Sequence, residues 1–150
     1  MNPIVKKWLG MSREELDKVY EACHESGTIP QGEMRGTAIL AGSPFSKLVA
    51  VFARLLAWQG KEFDIFAADG SAGVLLNKVT FLRLSFIVAK VYRENSWMDG
   101  RETIVIDYSK TSFLFSKVRD EIREIEPGIY LGKVWWGKTR ILDFALTTKQ

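Results

Sequence analysis

Ile129-Tyr130-Leu131-Gly132-Lys133-Val134-Trp135-Trp136 is followed by Gly137-Lys138-Thr139 and then by Arg140-Ile141-Leu142-Asp143-Phe144-Ala145-Leu146-Thr147. Both runs are rich in β-branched and aromatic residues, and a short Gly-Lys link separates them. That spacing predicts an antiparallel hairpin. Side chains alternate between the faces of a strand. In the first run Ile129, Leu131, Lys133 and Trp135 share one face, and Tyr130, Gly132, Val134 and Trp136 share the other. Both faces are largely apolar, so the sheet is expected to meet apolar material on both sides. Helices on one side and a cavity on the other would satisfy this.

Moving upstream, Pro127-Gly128 is a turn. Ser116 to Glu126 reads as a helical turn or a charged strand, and its run Arg119-Asp120-Glu121-Ile122-Arg123-Glu124 reads as a solvated face to which no chemistry is assigned. Arg101–Tyr108 and Arg83–Arg93 are expected strands, joined through Asn95-Ser96-Trp97-Met98-Asp99-Gly100 with its Asp-Gly turn signal. Gly73–Val79, Lys61–Phe66 and Arg35–Ala41 complete the set. Six or seven short strands at hairpin spacing argue for an antiparallel sheet, because parallel crossovers need longer connections. The expected class is α+β, mainly β: a closed β-barrel or a strongly curved sheet.

Helices flank this sheet. Ser12 and Glu15 form a capping box ahead of Leu16, Val19, Tyr20 and Cys23, which predicts an amphipathic helix over Ser12–Glu25. Ser43-Pro44 opens a second run to Trp58 that is apolar on nearly all sides and is expected to be a buried helix. Residues 1–10 read as a short amphipathic turn or an arm.

The chain has 150 residues, 47% hydrophobic and 26% charged, which fits one globular domain spanning 1–150. Its single cysteine, Cys23, cannot form an intramolecular disulfide. No signal peptide or membrane-length apolar run is visible, so a cytoplasmic location without membrane insertion is expected. The net charge is +3, but acidic residues are interleaved with the basic ones, which argues against a nucleic-acid face. His24 is the only histidine, too few for a self-contained zinc site, and no phosphate loop or dinucleotide fingerprint occurs. No cofactor is expected.

The candidate site residues are aromatic side chains and isolated polar ones within apolar strands. Trp58, Tyr92, Trp97, Trp135 and Trp136 are expected as walls of a cavity, with Asn77, Lys90 and Lys133 as its polar contacts. Asp107 follows Thr103-Ile104-Val105-Ile106, so it is the leading candidate for a carboxyl with a raised pKa acting as acid or base. Tyr108 and Tyr130 are the candidate hydrogen-bond donors to developing charge. Asp64 and Asp143 are weaker candidates for the role of Asp107.

Gly32-Glu33-Met34-Arg35-Gly36, followed by Trp58-Gln59-Gly60-Lys61-Glu62-Phe63-Asp64, resembles the opening of the GXWXG family of small bacterial proteins. Trp58, Gly60, Lys61 and Phe63 match its second segment; Met34 stands where its first segment has Trp. The resemblance implies a lipocalin-like (calycin-like) barrel, with Trp58, Gly60 and Lys61 at a structural or pocket corner. It implies no reaction. The leading expectation is a protein that binds an apolar small molecule (lipid-, terpene- or polyketide-like) in a barrel cavity. A cofactor-independent isomerase, cyclase or hydrolase using Asp107 comes second, and a protein or membrane-surface interaction module third.

Overall fold

The computed structural model describes residues 1–42, 50, 63–67, 72–77, 87–109 and 116–148, with 63–67, 72–77, 87 and 88 described as backbone only. Of the expected buried helix from Ser43 to Trp58 only Ala50 is described, and it is helical and exposed; the rest lies outside the described residues.

Two short helices lead the chain. Asn2 caps α1 (Pro3–Trp8), its side chain accepting from Ile4 N at 2.8 Å, and Pro3 supplies the preset φ of a first helical residue. The segment that the sequence suggested as a turn or arm is thus a helix, anchored by the burial of Val5 and Trp8. Helix α2 (Arg13–Ala22) begins with the expected capping box: Glu15 N donates to Ser12 Oγ at 3.2 Å and Ser12 N donates to Glu15 Oε2 at 2.8 Å. Leu16 and Tyr20, four residues apart, face inward together.

Eight strands follow: β1 (Gly32–Ile39), β2 (Phe63–Ala67), β3 (Ala72–Asn77), β4 (Ile87–Asn95), β5 (Glu102–Asp107), β6 (Val118–Glu126), β7 (Ile129–Trp136) and β8 (Thr139–Thr148). Each pairs antiparallel with the next, and β1 pairs with β8 as well as with β2, so the ladder returns on itself. The β1–β2 seam is short, running from Gly32 opposite Ile65 to Met34 opposite Phe63. A mainly-β antiparallel architecture with few helices is therefore what the chain forms. Of the two readings of 116–126, a helical turn or a charged strand, the chain forms the strand, β6.

Alternation sorts the side chains into two apolar clusters. Met34, Val91, Ile104, Ile106, Val118, Ile122, Val134, Leu142, Phe144 and Leu146 come from β1, β4, β5, β6, β7 and β8 and form one buried cluster on the inner side of these strands. Val5, Trp8, Leu16, Tyr20, Ile39, Leu131 and Ala145 form a second cluster between the helices and the outer face of β1, β7 and β8. This double burial explains why β7 and β8 are apolar in both phases. Gly132 stands opposite Phe144 in the register, and the Phe144 ring lies against it.

One end of the ring is covered by Ser26–Pro30, the segment leading from α2 to β1. Ile29 joins the interior cluster. Glu124 N donates to Ser26 O at 3.0 Å, and Thr28 N donates to Glu124 Oε2 at 2.8 Å. Arg93 Nη2 donates to Gly27 O at 2.8 Å, and Tyr130 Oη donates to Thr28 O at 2.9 Å. The segment is thus tied to β4, β6 and β7. The β1–β2, β3–β4 and β5–β6 connections leave from the opposite end.

Candidate functional site

The inner wall near that opposite end carries one polar pair, Tyr108 and Asp120. Asp120 lies between Val118 and Ile122 in the inward phase of β6, opposite Ile106 on β5 and Val134 on β7. All four of these neighbours belong to the interior apolar cluster. Tyr108 follows β5, and its backbone N–H donates to Val118 O at 3.4 Å. Both residues are 8% exposed.

The Tyr108 and Asp120 side chains hydrogen-bond to each other. Asp120 Oδ1 is buried and has no hydrogen-bond partner. Burial pushes the Asp120 carboxyl up to about 8, against the opposing pull of the Tyr108 hydrogen bond. Burial and the neighbouring carboxylate push the Tyr108 phenol well up too. Asp120 is therefore a neutral carboxylic acid at pH 7, with one oxygen turned into an apolar interior. Such a group can donate a hydrogen bond, pair with a cation after losing its proton, or exchange a proton near neutrality.

Asp107, the carboxylate that the sequence favoured, belongs to the other face. It is half-buried, accepting from Tyr92 Oη at 3.2 Å and from Ser109 N at 2.8 Å. Burial pushes its pKa up, but the hydrogen bonds from Ser109 and Tyr92 and the charge of Arg119 outweigh that and hold it below its usual range. The expected raised pKa is corrected accordingly: the strand's phase carries Asp107 outward, where donors reach it. Tyr108 is inside, but its carboxyl partner is Asp120. Tyr130 is also inside, at the covered end, where it is engaged with Thr28 O.

Most of the expected cavity walls also stand outside the ring. Trp97 and Trp135 meet edge to face at 5.6 Å between centroids on the outer face. Arg119 and Lys138 lie over the Trp97 ring at 4.3 and 3.6 Å. Trp97, Asp107, Ser109, Lys117, Arg119 and Lys138 border a shallow outer depression of about 350 Å³. Lys90 is exposed and pairs in register with Asp107, next to half-buried Tyr92.

Lys133 is fully buried, but beneath α2, where its Nζ lies 2.9 Å from Asp17 Oδ1 and 3.2 Å from Asp143 Oδ1. Burial raises the Asp143 pKa, against the lowering influence of Lys133 and Arg140. Lys133 therefore fastens a helix to the sheet with Asp143 beside it, and neither lines the interior. Trp136, by contrast, packs against the interior cluster opposite Val118. Asn77 and Asp64 are described as backbone, paired with Ile87 and Glu33 respectively. Trp58, Gly60 and Lys61 lie outside the described residues.

Asp120 was assigned no chemistry because it sits in a charged run. The phase of Val118-x-Asp120-x-Ile122 was the available signal, since it places the carboxyl on the apolar side of the strand. Among the described residues no group of three His, Cys, Asp or Glu side chains is arranged to hold a metal ion, and no helix is long and apolar enough to cross a membrane.

No protein-family model and no curated protein matches the chain. The chain is similar to the crystal structure of a protein from Thermomonospora curvata, at 16% identity and a TM-score of 0.57, over 98% of this chain and 94% of that one. A likeness at this identity concerns the fold alone.

Proposed function

We propose that this protein is a calycin-like binder that takes an apolar small molecule into the ring of strands, with Asp120 and Tyr108 as its polar contact. The carrying observation is the unpartnered Oδ1 of Asp120 in an otherwise apolar wall. A buried polar atom without a partner costs stability, and a bound ligand is one way to offset that cost. The covered end at Ser26–Pro30 supports a vessel with its polar contact near the other end. The GXWXG resemblance is in keeping with such a barrel.

Native mass spectrometry of the purified protein beside a denatured control tests this reading. The expected result is a small apolar mass released on denaturation, or uptake of an added apolar ligand that Asp120→Leu weakens. An empty protein that takes up no member of an apolar ligand series would overturn it.

The second reading is a cofactor-independent isomerase, cyclase or hydrolase on such a ligand. It is favoured by a carboxyl poised near neutrality beside a phenol, with Asp120 in the acid–base role first given to Asp107. Turnover of a released ligand by the native protein, abolished in Asp120→Asn with binding retained, would select it.

A further inference from the structure

We infer that the ligand is a lipophilic amine, whose ammonium group pairs with the buried Asp120 carboxylate once the acid has given up its proton. This deepens the binding reading and rests on it. The other deeply placed carboxylates each meet a cation of the chain. Asp143 has Lys133 at 3.2 Å, Glu121 has Arg119 at 3.1 Å, and Asp99 has Arg123 at 2.7 Å. Among the described residues no cation pairs with Asp120, and its Oδ1 has no hydrogen-bond partner; the Asp143 oxygens lack hydrogen bonds too, but have Lys133 beside them.

Among the described cations nearest in sequence, Arg123 is held by Asp99 and Lys117 is exposed. Arg119 points to the outer face, where it meets Glu94, Glu121 and Asn95 O, and Lys138 covers Trp97. From β5 and β7 the groups facing Asp120 are Ile106, Val134 and the phenol of Tyr108; on its own strand they are Val118 and Ile122. Glu124, in the same phase, is held at the covered end by Thr28 and Gly128. A buried carboxyl with no cation beside it is held in its neutral form, and a cation placed against it favours the ionised one.

The surroundings suit an ammonium on an apolar body. Tyr108 and Trp136 flank Val118 in the ladder, and aromatic rings attract cations. The chain of the amine would lie against Val134, Leu142 and Phe144. A neutral hydrogen-bond acceptor would use the acid proton of Asp120 and leave it in place. An ammonium ion requires that proton to leave. In balance, R–NH₃⁺ and Asp120–COOH give the bound pair R–NH₃⁺·⁻OOC–Asp120 and one H⁺ released to solvent.

Isothermal titration calorimetry of the full chain at pH 7, in two buffers of different ionisation heat, tests this with n-decylamine, n-decanol and decanoate. The expected result is that decylamine binds at least about tenfold more tightly than decanol and releases close to one proton, with affinity rising about tenfold per pH unit between pH 6 and 8. Asp120→Asn should abolish the preference for the amine and leave decanol binding in place. If decanol or decanoate binds as tightly as decylamine, or if the amine binds without proton release, the amine inference is overturned while the apolar-binding reading stands. If none of the three binds the wild-type protein, both fail. The proton count is read on the wild type, so the test does not depend on a variant that folds.

Discussion

Arg123 grips Asp99 with two hydrogen bonds of 2.7 Å each, Nη1 to Oδ2 and Nη2 to Oδ1, from a guanidinium wholly out of water. The same guanidinium donates to Tyr20 O, Glu102 O and Arg101 O and stacks on the Tyr20 ring at 4.3 Å. One side chain thus joins the β4–β5 turn, β6 and α2. Asp99→Ala should destabilise the protein by about 3–5 kcal/mol, because it leaves a buried cation uncompensated; urea denaturation measures it.

Acid should loosen that joint. The hydrogen bonds from Arg123 hold the Asp99 carboxyl down at about 2, against the raising effect of burial. A depressed folded pKa contributes stability that is present above the unfolded value of about 4 and is lost as pH falls through the folded value. Between pH 5 and pH 2 the loss from this group is expected to be about 2 kcal/mol, and Asp99→Asn should show a correspondingly flatter acid limb.

Asp120 should act in the opposite sense. Its folded pKa of about 8 lies above the unfolded value, so its contribution is complete below about pH 4 and declines as pH rises through 8. Asp120→Asn keeps the shape and removes the ionisation. It should be more stable than wild type at pH 9, by up to about 4 kcal/mol, and close to it at pH 4. Chemical denaturation at the two pH values checks this, and a higher wild-type stability at pH 9 would contradict the burial of an unpaired carboxyl.

Lys133 and Asp143 stand directly opposite each other on β7 and β8, both closed off from water under α2. Lys133→Met alone should cost about 3–5 kcal/mol, since Asp143 would lose its nearest cation. The double variant Lys133→Met/Asp143→Leu should recover most of that loss. A double-mutant cycle reads the coupling.

Gly132 has no room for a side chain: a Cβ there would lie 2.3 Å from the Phe144 ring. Gly132→Ala should therefore destabilise by about 1–3 kcal/mol through overpacking. Phe144→Leu in the same chain should relieve part of it, and thermal melts of the two variants together decide the matter.

The strand pattern was the most legible part of this chain. Period-2 runs bounded by Asn-Ser-Trp-Met-Asp-Gly, Pro-Gly and Gly-Lys located the β4–β5, β6–β7 and β7–β8 turns, and Ser12-x-x-Glu15 located the start of α2. Which face looks inward was not legible in strands apolar on both sides, because composition has no phase when helices cover the outside. That ambiguity placed Lys133 and Trp135 in an expected cavity although they lie on the outer face, whereas Trp97 belongs to the β4–β5 turn, where no strand phase applies. It also favoured Asp107 over Asp120. These two carboxyls come from neighbouring strands, but the phase of each strand sends one to its hydrogen-bond donors and the other into an apolar wall.

The seal at Ser26–Pro30 gives the N-terminal helices a role beyond covering the outer sheet. Shortening the chain to begin at Gly32 would leave every strand in the sequence and remove the floor. Ile29 would leave the interior cluster, and the ties of Glu124, Arg93 and Tyr130 to that segment would be lost with it. The residues ahead of the first strand thus belong to the core of the sheet they precede, and the strands alone are expected to be a less stable unit than the whole chain.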